Sequence, residues 1–179
     1  MTDYAAVQRL ATSRHAHHEA GHAVAAVARG QKLLQVFLGD FDNDPSGATV
    51  HESDLLTQPF ITFAGPWAEA MWMVENDDHV DDISEALEYA WSENTEGDAD
   101  KYHAIVNMLE IAAACFGLGR IGPTWEIDWH DELTELWPVI KDVAALLIKR
   151  AEVTHEIVEN LLQGTNRNPT RKDKIHFEY

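Results

Sequence analysis

Between Arg14 and Val24 the sequence reads Arg-His-Ala-His-His-Glu-Ala-Gly-His-Ala-Val. His18 and His22 stand four apart, and on a helix that spacing puts two imidazoles on one face, a turn from each other, where they can converge on one ion. Glu19, beside the first imidazole, would point toward the open position of that ion rather than bind it, and there it could take a proton from water. Five residues thus hold two candidate ligands for Zn2+ and a candidate general base. The apolar run from Ala23 to Val27 would bury them. His15 and His17 are not read as ligands, although His15 sits one turn before His18.

A catalytic zinc needs a third protein ligand and one open position. The extended pattern with a third histidine shortly after the second is absent, and Cys115, the only cysteine, excludes a thiolate cluster or an internal disulfide framework within one chain. His51, Glu52, Asp54, Glu69, Asp98 and Asp100 all remain open as the third ligand. His103, His130 and His155 are candidates for oxyanion stabilisation only if the fold brings one of them beside the metal.

The elements that must position these groups read as mainly helical. A helix is expected from Thr12 to Arg29, with Gly30 as its C-terminal cap. Leu33–Leu38 and Ala48–His51, around the turn-forming run from Asp42 to Gly47, predict a small β-hairpin or ribbon. Helices are then expected over Pro59–Val74, interrupted at Gly65-Pro66, and over Asp82–Trp91, Asp98–Phe116 and Pro138–Leu162. Pro138 fits the first turn of the last of these. Val139, Val143, Leu146, Leu147, Ile157 and Leu161 would form one buried stripe, and the six tryptophans would serve the same core. This gives one domain over residues 1–163 and a basic, mobile tail over 164–179 carrying Arg167, Arg171, Lys172 and Lys174.

The chain of 179 residues, 45% of them hydrophobic, suits one globular core. No run approaches the ~18 apolar residues of a membrane span, and the first thirteen residues do not read as a secretory signal, so the expected location is the cytoplasm. A formal charge of −18 argues against nucleic acid as a partner. Glu75 to Asp100 holds eleven carboxylates and no lysine or arginine. It reads as a solvated acidic segment, with a docking surface for a basic partner as the alternative.

His18-Glu19-Ala20-Gly21-His22-Ala23 resembles the zinc motif of the FtsH family of ATP-dependent metalloproteases. Phe63–Ala70 is similar to that family's Gly-Gly-Arg-x-Ala-Glu helix, Gly97–Ala104 to its Gly-x-x-x-Asp-x-x-x-Ala segment, one residue shorter before the Asp, and Ala144–Leu162 to its closing helix. The likeness spans most of the chain, and the first motif is the specific one. It implies a zincin-like peptidase domain with His18, His22 and Asp100 as zinc ligands, Asp98 as the near competitor of Asp100, Glu19 as the base, and Glu69 as a carboxylate orienting a ligand histidine. The family's phosphate-binding loop is missing from this sequence, Ala64 and Pro66 replace the family's first Gly and its Arg, and Glu75–Glu96 looks like an insertion.

The expectation is a zinc-dependent metallopeptidase acting on flexible peptides, or on proteins delivered by a separate unfoldase or adaptor, with its oligomeric state open. The alternative is a non-catalytic zincin-like binding or regulatory module whose metal is structural or vestigial. An amidase or other small-molecule hydrolase using the same ion is a third reading.

Overall fold

The helix that carries the His18–His22 spacing, α1 (Tyr4–Ala28), runs through the middle of the molecule. Residues 16–28 are buried on every side, as expected of a helix covered all round by other elements. The computed structural model describes residues 4–39, 47–93, 97–116 and 125–164. After α1 come β1 (Leu33–Leu38), β2 (Gly47–His51), α2 (Gln58–Asn76), α3 (Ile83–Glu93), α4 (Asp98–Cys115), α5 (Trp125–Ile148) and α6 (His155–Gly164). The chain is therefore mainly α with one small antiparallel hairpin. Among the described residues no helix is long and apolar enough to cross a membrane.

α1 packs chiefly against α2 and α5, and the hairpin lies along it. The closeness of α1 and α2 depends on small side chains. A Cβ on Gly21 would stand 2.4 Å from the Ala64 carbonyl oxygen and 2.8 Å from the Ala68 Cβ. Gly21→Ala must therefore push the two helices apart, with an expected cost of about 2 kcal/mol, or about 4–8 °C in Tm by calorimetry. The core between α1, α2 and α5 is rich in Trp67, Phe60, Ile61, Leu133, Ile140 and Val143. Arg29, at the end of α1, lies 3.6 Å over the Phe60 ring and forms a two-pronged ion pair with Glu132 on α5.

β1 and β2 pair from Leu33↔His51 to Leu38↔Gly47, with one irregularity between Leu33 and Gln35. Gly30 ends α1 as expected, in the left-handed conformation (φ 72°). Its amide and that of Gln31 bond back to the Val27 and Ala26 carbonyls.

Several boundaries differ from the sequence reading. α1 begins at Tyr4 rather than Thr12, since nothing between them breaks a helix. α2 runs straight through Gly65-Pro66. Pro138 lies inside α5 rather than in its first turn. It and Thr134, whose carbonyl it deprives of a helical partner, both lie on the exposed side, where water can serve instead. The last helix is two helices, because the chain turns at Arg150, which adopts a left-handed φ of 55°. Its amide bonds to Leu147 and its guanidinium to the Gly39 carbonyl at 3.0 Å. The break shifts the stripe: Val139, Val143 and Leu147 are buried as expected, but Val158 and Leu162 take the inner positions while Leu146, Ile157 and Leu161 are half-buried. Trp67, Trp129 and Trp137 are core residues, and Trp72 and Trp91 flank the core. The side chain of Trp125, residues 40–46 of the hairpin turn, residues 94–96 of the acidic stretch and residues 165–179 of the basic tail lie outside the described residues.

Candidate metal centre

The i,i+4 spacing on α1 places the His18 and His22 rings 4.8 Å apart, edge to face. Each uses Nδ1 for a partner elsewhere. His18 Nδ1–H donates to Glu69 Oε2 on α2 at 3.0 Å, and His22 Nδ1–H donates to the Ile61 carbonyl at 2.7 Å. With Nδ1 committed, each ring, when neutral, would present Nε2 as a lone pair. The two Nε2 atoms are 3.1 Å apart, and Oδ2 of Asp98, at the start of α4, lies 3.2 Å from one and 3.0 Å from the other. Zinc bonds of 2.0–2.1 Å at the tetrahedral angle would hold donors about 3.3 Å apart, so this donor set fits such an ion.

Three acceptors this close repel one another unless positive charge lies among them. Burial alone would lower the His18 pKa, but the hydrogen bonds to Asp98 and Glu69 and the charge of Glu19 prevail and push it up to about 10. Burial would raise that of Asp98, but hydrogen bonds from His18 and His22 and their charge hold its carboxyl well below the usual carboxylate range. The cluster thus draws a cation, and a proton and a divalent metal compete for it. His18, Glu19, His22, Glu69 and Asp98 are only 2–8% exposed. Burying that many ionisable groups is costly unless they are paired or ligate a metal.

The surrounding contacts hold the ligands in place. Glu69, which grips His18, is itself held by Arg14 at 3.2 Å, and Asp98 Oδ1 receives Lys101 Nζ at 3.1 Å. α4 starts where it does because Gly97 takes a left-handed φ of 77°. Tyr102, one turn after Asp98, ties α4 to α5 through Glu126 and to α2 through the Phe63 ring. Gly65 lies against the His22 ring, where a Cβ would stand 2.3 Å from Nε2. Gly65→Ala is therefore expected to displace that ring and weaken metal binding at least ~10-fold, as loss of an orienting contact does, in a competition titration with a chelating dye. The helix itself should tolerate alanine.

Of the residues singled out from sequence, His18, His22 and Glu69 meet here and Glu19 lies beside them. Asp100 does not. It is exposed on α4, and Asp98 takes the position expected of it. On a helix two residues are 200° apart, so only one of the pair can face α1. Glu52 and Asp54 are exposed, the latter capping the turn before α2. His51 is half-buried next to the cluster, donates Nδ1–H to the Glu52 carbonyl at 3.1 Å, and has its pKa lowered by burial. His130 accepts from Trp67, His155 accepts from the Leu33 amide, and His103 is exposed. His17 packs between Trp72 and Trp137, and His15 bonds to the Ala11 carbonyl. The sequence reading missed Gly47 and Thr49 on β2, which touch Glu19. Their only signal is the strand alternation that puts both on one face.

Compared with models of protein families, with curated proteins and with solved structures, the chain matches none. Its function has to be argued from the site.

Proposed function

We propose that this chain is a zinc-dependent metallopeptidase that hydrolyses peptide bonds in flexible peptides or in proteins delivered to it. The observation that carries the reading is the convergence of His18 Nε2, His22 Nε2 and Asp98 Oδ2 within 3.2 Å, with the Glu19 carboxylate on the adjoining residue of the same helix. Two imidazoles and one carboxylate are the donor set of peptidase zinc sites that keep a position open. Bound there, zinc would supply Lewis acidity, polarising a carbonyl and making water a better nucleophile near neutral pH.

The chain's own residues do the rest. Glu69 and the Ile61 carbonyl fix the tautomers of the two imidazoles, so that both offer Nε2. Glu19 takes the proton from the attacking water and returns it to the leaving nitrogen. The resemblance to the FtsH peptidase domain, with Asp98 in place of Asp100, points the same way. A separate unfoldase or adaptor would deliver folded proteins, because these 179 residues include no phosphate-binding loop. The single, exposed Cys115 accords with the reducing cytoplasm, where we place the enzyme.

The test is metal content by mass spectrometry on untagged protein, together with hydrolysis of an unstructured peptide library. About one zinc per chain, with cleavage lost to a chelator and regained on adding zinc, supports the reading. Protein that holds no metal and cleaves nothing overturns it. Stoichiometric metal without cleavage would leave the site to a binding module.

A further inference from the structure

The hairpin meets the candidate base directly. Residues 47 and 49 lie on one face of β2, the face turned to α1. Thr49 Oγ1 is 2.6 Å from Glu19 Oε2 and 3.0 Å from the Glu19 backbone oxygen. The hydroxyl has one proton to give. The carboxylate oxygen is the nearer and the charged acceptor, and 2.6 Å is the length of a charge-assisted O–H···O⁻ bond. On the same face Gly47 leaves room for the rest of the side chain, since a Cβ there would stand 2.7 Å from Glu19 Cγ and 2.9 Å from Oε1. Glu19 is 2% exposed. Its carboxylate is thus held between a surface that only glycine provides and a hydroxyl aimed at one of its oxygens.

We propose that Thr49 is the positioning residue of Glu19: with Gly47 it holds the carboxylate in the orientation in which that group exchanges protons with water and leaving nitrogen. What the orientation serves rests on the metallopeptidase reading; the clamp is a property of the chain. A glutamate side chain has several freely rotating bonds, and a base misplaced by about 1 Å loses much of its effect. The local helix fixes only the backbone of Glu19. The carboxylate end has to be fixed from another element, and β2 touches it.

Thr49→Val keeps the shape and the strand preference while removing the hydroxyl, and Thr49→Ser restores the hydroxyl. In zinc-loaded protein, Thr49→Val is expected to lower kcat roughly 10- to 100-fold, in the range seen when an orienting hydrogen bond is lost, with KM within about twofold and zinc content unchanged. Thr49→Ser should return kcat to within about threefold of the parent. Crystal structures of the parent, of both Thr49 variants and of Gly47→Ala give a readout independent of turnover. One Glu19 conformer is expected in the parent and in Thr49→Ser, and a displaced or divided carboxylate in Thr49→Val and in Gly47→Ala. If Glu19 keeps its place in Thr49→Val, the clamp is wrong, whatever the kinetics show. If the carboxylate moves but the parent hydrolyses no peptide, the clamp stands and the metallopeptidase reading fails.

Discussion

A Glu19→Gln variant is expected to retain its zinc and to lose peptide hydrolysis by about 10²- to 10⁴-fold, the usual contribution of a positioned general acid–base group. That is about 2.7–5.4 kcal/mol of transition-state stabilisation. Glutamine has the size and reach of glutamate, so it fits the space beside Gly47, and its amide oxygen can still accept the Thr49 proton. What it lacks is the ability to take and return a proton. The metal should remain because Glu19 is not among the three converging donors. Steady-state kinetics with metal analysis on the same preparation checks both halves. Turnover near the parent level would remove Glu19 from the mechanism, and loss of zinc along with turnover would make Glu19 a ligand.

The placing of the two imidazoles and of Glu19 beside them was legible in the sequence because their relation is local. Once Thr12–Arg29 is helical, the step from His18 to His22 fixes their common face, and no knowledge of the rest of the fold is needed. The third donor depends on helix phase. Asp98 is in register with Tyr102, Leu109 and Ala113, the buried positions of α4, whereas Lys101, Ala104, Met108 and Ile111 share the exposed side with Asp100. The apolar Met108 and Ile111 on that outer side blur the amphipathic signal that would have chosen between the two acids. Thr49 is 30 residues from Glu19, and the contact exists only because the hairpin folds back along α1. The break between α5 and α6 lacked a signal of the usual kind, since an arginine rather than a glycine takes the left-handed turn. The mainly helical architecture and the small hairpin followed from apolar periodicity and the turn-rich segment between two short β-prone runs. The reading failed where a local signal was weak, as at the start of α4 and at Arg150, and where residues distant in sequence decide, as at Thr49.

Asp98→Ala is expected to weaken zinc binding at least ~100-fold, beyond the 10- to 100-fold of groups that only orient a ligand. It removes both a donor and the only negative charge among the three converging atoms. His18 and His22 would then bring two lone pairs together with no anion among the donors themselves, Glu19 and Glu69 acting only from beside them. Asp100→Ala changes an exposed side chain outside the cluster. It should stay within the ±0.5 kcal/mol of ordinary surface substitutions, about twofold in affinity. The contrast can be read without any substrate. With free zinc at 100 times the parental Kd, binding adds about 2.7 kcal/mol to the parent's stability, or about 5–11 °C in Tm. The same zinc should give nearly that shift in Asp100→Ala and about 0.4 kcal/mol or less in Asp98→Ala. The reverse pattern would return the third position to Asp100 and require α4 to turn by nearly half a revolution. Equal loss in both variants would mean that the start of α4, rather than one of its carboxylates, carries the site.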